Sequence, residues 1–160
     1  MVTLVPMTDA EYRAFVDEAI PAYAADKVAS GQWLASEALE RSKKSLAELL
    51  PRGRDTPDHL LFTLVDEGRV AVGMLWIAAV EQAGRRIAYV YDISVRPEHR
   101  RMGHAASAFA ALEAKVRELG LTGIALHVFG HNAGAVALYA KLGFQATNIN
   151  MFKAVGPAAG

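Results

Sequence analysis

An α/β fold built on one mixed sheet flanked by helices is the class this sequence predicts, on three observations. Residues 89–95 form a β-branched and aromatic run that stops at Pro97, which cannot donate to a strand ladder. From Gly103 the pattern changes to helical spacing, with Ala106, Phe109, Ala110 and Val116 on one side, and Gly120 follows Leu119 as a helix stop. A second strand, loop and helix follow at about 123–142 and close at Gly143, while hairpin signals upstream supply antiparallel strands.

Taken in order, residues 2–5 read as a short strand. Thr8-Asp9-Ala10-Glu11 is a capping box opening a helix with Tyr12, Phe15, Val16 and Ile20 on its apolar side, and Pro21 is expected to kink or end it. A second helix is expected over 32–50, with Trp33, Leu34, Leu39, Leu46, Leu49 and Leu50 buried and Pro51 as its stop. Residues 52–58 are rich in turn formers. Residues 59–65 and 69–80 pair as a hairpin around Asp66-Glu67-Gly68, and a turn at 82–85 leads into the central strand. The alternation over 145–152 predicts a last strand, and the small residues of 154–160 predict a fraying tail. With no repeat and no linker, residues 1–153 read as one domain.

Composition narrows the function. In 160 residues, 17 basic and 17 acidic side chains cancel, so a general nucleic-acid-binding role has no electrostatic basis. Arg96, Arg100 and Arg101 form a local patch suited to a small anion. The absence of cysteine removes disulfides, thiolate nucleophiles and Cys-based metal sites, and the histidine spacing specifies no metal geometry. The N-terminal stretch lacks a basic segment followed by an apolar one, and no apolar run reaches the roughly 18 residues of a membrane span. The expectation is therefore a cytoplasmic protein with no metal, no nucleic-acid partner and no membrane partner.

The loop before the third helix has a physical use. The first amides of a helix have no intrahelical partner and carry partial positive charge, so an anion binds there. Arg100 and Arg101 add charge, and Gly103 and Ala105 let a diphosphate approach the backbone. Arg100-x-x-Gly103-x-Ala105 resembles the (Q/R)-x-x-G-x-(G/A) loop of the GNAT superfamily of acetyl-CoA-dependent N-acetyltransferases. Asn132, Ala135, Leu138-Tyr139 and Gly143-Phe144 resemble its N-x-x-A-x-x-L-Y-x-x-x-G-F segment, with Gly134 a poor helix former inside it. The two motifs span about residues 87–144.

The resemblance implies a GNAT-like acyl-CoA N-acyltransferase fold whose mixed sheet is splayed at its centre. The cofactor's diphosphate would lie on Arg100, Arg101, Met102, Gly103, His104, Ala105 and Ala106. Its amide-bearing arm would bond the main chain of Ile93, Ser94 and Val95, and Asn132 and Tyr139 would also contact it. Tyr139 stands where the family places a proton donor for the departing thiolate, and also suits plain packing; Asn132 equally suits a plain helix cap.

The base is open at this point. Tyr89 and His127 occupy positions where some members carry a Glu. An imidazole ordinarily titrates near neutrality, which makes His127 one candidate. Asp92, a carboxylate in an apolar strand, is the second, and a water relay with no side-chain base is the third. The implied activity is acetyl transfer from acetyl-CoA to a primary amine of a small molecule or peptide, with a non-catalytic acetyl-CoA-binding sensor as the alternative. A phosphotransferase would need a G-x-x-x-x-G-K-(S/T) loop that the chain lacks. Tyr23, Trp33, Trp76 and Tyr91 are candidates to line the acceptor pocket, the acceptor itself is not named by any motif, and a homodimer is left open.

Overall fold

Five strands lie side by side in chain order in the computed structural model, which describes residues 1–157. They are β1 (Thr3–Pro6), β2 (His59–Val65), β3 (Ala71–Gln82), β4 (Arg85–Val95) and β5 (Ile124–Leu126). The first four pair antiparallel, and β4 with β5 pairs parallel, giving the mixed sheet. Four helices accompany it among the described residues: α1 (Asp9–Ala29), α2 (Ala35–Leu49), α3 (His104–Glu118) and α4 (Ala133–Lys141).

Turn chemistry fixes the hairpins. Asp66 accepts the Val70 amide at 2.9 Å across the β2–β3 turn. Ala83 and Gly84 both take positive φ, 50° and 75°, in the two-residue β3–β4 turn whose twist matches its strands. The sheet separates two cores. Under α3 lie Phe62, Leu64, Val72, Leu75, Ile77, Ala88 and Val90 against Ala108, Phe109, Leu112 and Val116. On the opposite face α1 and α2 cover Leu61 and Trp76 together with Met7, Phe15 and Leu50. Burial of these large side chains, each contributing about 1.5–3 kcal/mol, holds the helices on.

The capping box of α1 forms as expected: the Glu11 amide donates to Thr8 Oγ1 at 3.2 Å and the Thr8 amide to Glu11 Oε2 at 2.8 Å. Pro21 does not end α1, which runs on for two turns to Ala29. Tertiary packing overrides the proline: the buried Ser42 of α2 donates to the carbonyl of Ile20 at 2.7 Å, and Ala24 is buried beyond it. Helix α2 begins at Ala35 rather than 32 and turns Ala38 and Ser42 inward, leaving Leu34 and Leu39 exposed.

Two strand expectations are corrected. The strand expected over 123–129 pairs only through Ile124–Leu126. The strand expected over 145–152 is absent, and that segment is exposed without regular structure. Alternation marks a chain able to become a strand, but a strand forms only where a partner edge takes up its backbone groups. Of the tail expected to fray, residues 154–157 are exposed and irregular, while 158–160 lie outside the described residues. No helix among the described residues is long and apolar enough to cross a membrane.

Candidate active site

The site begins with an irregularity in β4. Opposite β3, Trp76 faces Asp92 and Ile77 faces Val90, so Tyr91 is an extra residue in the ladder, a β-bulge. In an unbroken strand Asp92 would share the α3 face with Ala88 and Val90, because side chains alternate with period two. The bulge instead puts Tyr91 and Asp92 both on the α1/α2 face and returns Ile93 to the α3 core. Pairing with β5 ends at the same place, Val90 with Leu126, and the two parallel strands part beyond it. The splay implied by the motifs is thus present. Close approach of β3 supports this segment: a Cβ on Gly73 would stand 2.1 Å from the Ser94 carbonyl, so glycine alone fits there.

A cavity of about 450 Å³ opens at the splay. β4 contributes Tyr89, Tyr91 and Asp92, the stretch after β5 contributes His127 and Phe129, α4 contributes Tyr139, and the α1/α2 pair contributes Tyr23, Asp26 and Leu46. Its floor is an aromatic stack, with Trp76 and Tyr91 4.6 Å apart and Tyr91 against His59 at 5.6 Å. Nδ1 of His59 accepts the Trp76 indole N–H at 3.0 Å, and burial lowers the His59 pKa, opposed by nearby Asp58. A neutral His59 suits that acceptor role.

Two titratable groups in the cavity are both pushed up by burial. Burial lifts the Asp92 carboxyl to about 6, the Ile93 amide opposes the shift and the Asp26 carboxylate adds to it. Burial also raises the Tyr139 phenol, with the Asp92 charge adding to the effect. Near neutrality Asp92 is a carboxylate able to take a proton, and Tyr139 is a phenol holding one. The Tyr139 ring is fixed edge-on by Phe109 and Phe144, each 5.7 Å away. His127, by contrast, is exposed, and its ring stands edge-on to Phe129 at 4.8 Å. Asp26 accepts from or pairs with His131 Nε2 at 3.4 Å, linking α1 to the loop before α4.

The loop before α3 leads into the helix at Gly103, where the sequence predicts a helix start. Gly103 takes φ 79° at the N-cap with no side-chain cap, and open space surrounds the place a Cβ would occupy. The first intrahelical bond runs from Ser107 to the Gly103 carbonyl, leaving the amides of His104, Ala105 and Ala106 without helix partners. Nε2 of His104 is buried without a hydrogen-bond partner. No acidic residue stands in the first turn to compete with an anion. Arg100 is held: its Nε donates to the Val95 carbonyl at 3.1 Å, while Arg101 and Met102 are exposed. These features fit a diphosphate, and the edge of Ile93, Ser94 and Val95 beyond the splay fits an amide-bearing arm.

Of the residues singled out in the sequence, Asp92, Ile93, His127, Asn132 and Tyr139 line the one cavity, as do Tyr23, Trp76 and Tyr91. Ser94, Val95 and the 100–106 loop lie along β4 and at the start of α3. Trp33 stands outside, packed edge-on against Tyr23 at 5.5 Å under the Arg41 guanidinium. Asp26 and Lys27 are not among the residues the sequence singles out, since Pro21 is expected to kink or end α1 before them. The spacing of Tyr23 and Asp26 on one helical face was the available signal. The bulge left a signal too, since the apolar core positions switch from Ala88 and Val90 to Ile93.

The fold and the two motif-bearing junctions define a GNAT-type acyltransferase architecture. The acetyltransferase (GNAT) family model matches residues 23–144, and the chain belongs to this family. It is 38% identical over 152 residues to the uncharacterized N-acetyltransferase YycN of Bacillus subtilis, covering 95% of this chain and 97% of that one. A second uncharacterized N-acetyltransferase of that organism, YdgE, is 35% identical over 94% of this chain and 96% of its own length. The crystal structure of YycN superposes with a TM-score of 0.93 over 98% of this chain and 100% of that chain, at 37% identity.

Proposed function

We propose that the protein is a cytoplasmic enzyme that moves the acetyl group of acetyl-CoA to a primary amine of a small molecule or peptide, by direct attack in a ternary complex. The observation that carries this reading is the pairing of Asp92, lifted to about 6, with a protonated Tyr139 in one cavity at the splay. Acetyl-CoA supplies an activated thioester. The α3 amides and the Arg100–Ala106 loop hold its diphosphate, and the free edge of Ile93–Val95 aligns its arm. Asp92 takes the proton that the amine loses as its nitrogen bonds the acetyl carbon, and Tyr139 gives its phenol proton to the sulfur as the carbon–sulfur bond breaks. The aromatic floor favours an amine with an apolar body, and the amine attacks in its neutral form. A binding module without turnover has no use for this acid and base pair.

The test is the pH profile of kcat/KM, read by free thiol release over a panel of amines. Activity should rise as pH climbs through about 6, where the Asp92 carboxyl ionises. Asp92→Asn should abolish that limb and lower the rate by about 10²-fold to 10⁴-fold, while His127→Ala keeps the limb. Two acceptors of different basicity separate the enzyme's ionisation from the amine's. A limb that survives in Asp92→Asn but disappears in His127→Ala would transfer the role to His127, and one that survives both would leave a water relay.

A further inference from the structure

The cavity at the splay carries more charge than the transfer of one acetyl group uses. Asp92 takes the amine proton, yet a second carboxylate, Asp26 of α1, lines the same space. Its charge is felt across the cavity, since it adds to the rise of the Asp92 carboxyl. The lysine in the cavity wall does not offset it. Lys27 Nζ donates to Gln32 Oε1 at 2.8 Å and lies over the Tyr23 and Trp33 rings, 5.5 Å from each centroid, so its charge is directed to the turn between α1 and α2.

Asp26 has room for a partner. Its side chain is 49% exposed, and Oδ1 stands 3.4 Å from Nε2 of His131, at the long limit of a hydrogen bond. Among the described residues no hydrogen bond reaches Oδ2. Aromatic groups flank this carboxylate: Tyr23, one helical turn earlier on α1, lines the cavity too, and Phe129 stacks on His131 at 5.4 Å. A carboxylate among aromatic rings suits an organic ammonium, through a charge-assisted hydrogen bond and the ring faces together. That ammonium is not the attacking nitrogen, which must be neutral and beside Asp92 and Tyr139. It belongs to a second amine of the same acceptor.

We propose that the acceptor is an aliphatic diamine, held by one ammonium at Asp26 in the mouth of the cavity while its other nitrogen, neutral, attacks at the splay. This rests on the acetyl-transfer reading of the site and names its substrate class. The arrangement also helps the chemistry. A held ammonium repels a second positive charge a few carbons away, which lowers the pKa of the attacking nitrogen and favours its neutral form. The Trp76 and Tyr91 floor takes the methylene chain. Once acetylated, a nitrogen is an uncharged amide. A product turned end for end would set that amide against Asp26 and lose the anchor, so the reaction stops at one acetyl group.

The test compares α,ω-diaminopentane, pentylamine and ω-aminopentanoate, which share a chain and differ in the far group. By thiol release, the wild-type kcat/KM should be about tenfold or more higher for the diamine than for pentylamine, and lowest for the amino acid. Asp26→Asn should bring the diamine and pentylamine within about twofold of each other, and Asp26→Glu should keep most of the preference. Asp26→Lys should move ω-aminopentanoate ahead of the diamine. His131→Ala should retain the diamine preference, because the imidazole competes for the same carboxylate. Equal wild-type values for the diamine and pentylamine, or a preference that survives in Asp26→Asn, overturn the proposal. Mass spectrometry should show the monoacetyl product accumulating, and a diacetyl product formed at a comparable rate overturns it. If no amine releases thiol, the acetyl-transfer reading fails and calorimetry judges the anchor alone. The diamine should then bind the wild type about tenfold more tightly than pentylamine and lose that margin in Asp26→Asn, and equal binding overturns the anchor.

Discussion

Helices α3 and α4 both start just after a strand on either side of the splay, and their first turns are finished differently. Asn132 caps α4 with its own side chain, accepting the Ala135 amide at 3.3 Å, so part of that helix's unsatisfied polarity is used internally. Gly103 begins α3 without a side chain, leaving three amides, a positive helix end and two arginines directed at the surface. One junction is closed and holds a helix that presents Tyr139 to the cavity. The other is open and has the form of an anion site. The same local motif, strand then loop then helix, thus leaves one helix start satisfied by its own side chain and the other open, and the residue at the N-cap makes the difference.

The sharpest division between the two helices would come from Tyr139→Phe. The ring still packs between Phe109 and Phe144, so acetyl-CoA affinity by calorimetry should hold while kcat falls about 10²-fold to 10⁴-fold. An unchanged rate under chemistry-limited conditions would reduce α4 to a packing role. Next in size is a stability effect in the cleft between them. A carboxyl raised from 3.8 to about 6 binds its proton more tightly in the folded state. Its contribution to stability is full below pH 3.8 and is lost as pH rises through about 6. Asp92→Asn should therefore be more stable than the wild type at pH 8, by no more than about 3 kcal/mol, and the advantage should shrink towards pH 4 in urea titrations.

Charge at the open junction comes third. Asn and Asp tolerate the left-handed conformation of Gly103 comparably and have the same shape. Gly103→Asp should raise the acetyl-CoA dissociation constant at least about tenfold relative to Gly103→Asn, by repelling the diphosphate from the helix end. Equal affinities would remove α3 from the binding site. Smallest is the closed junction itself: Asn132→Ala should cost about 1 kcal/mol, a fall of about 2–4 °C in Tm for a domain of this size. A large loss of acetyl-CoA affinity in that variant would show Asn132 to be a binding residue and would blur the distinction.

Both junctions were legible in the sequence because they depend on local rules. Glycine permits positive φ at 103 and 143, Asn132 suits a helix cap, Pro97 stops a strand, and the Thr8–Glu11 capping box opens α1, all through contacts within a few residues. The hairpin turns at 66–68 and 82–85 belong to the same class. What decided the chemistry was not local. Asp92 faces the cavity because one residue of β4 has no counterpart on β3, a register relation between chains of atoms far apart in sequence. Its pKa follows from burial and from Asp26, which reaches the cavity only because packing against α2 carries α1 past Pro21. Residues 145–152 alternate like a strand and are not one, since alternation specifies a face to be buried but cannot supply the edge that pairs with it. Propensities and caps act within a turn of helix or a pair of strand residues, so the sequence determined elements and motifs. Register, burial and the availability of a partner edge are properties of the assembled sheet, and tertiary structure alone decided them.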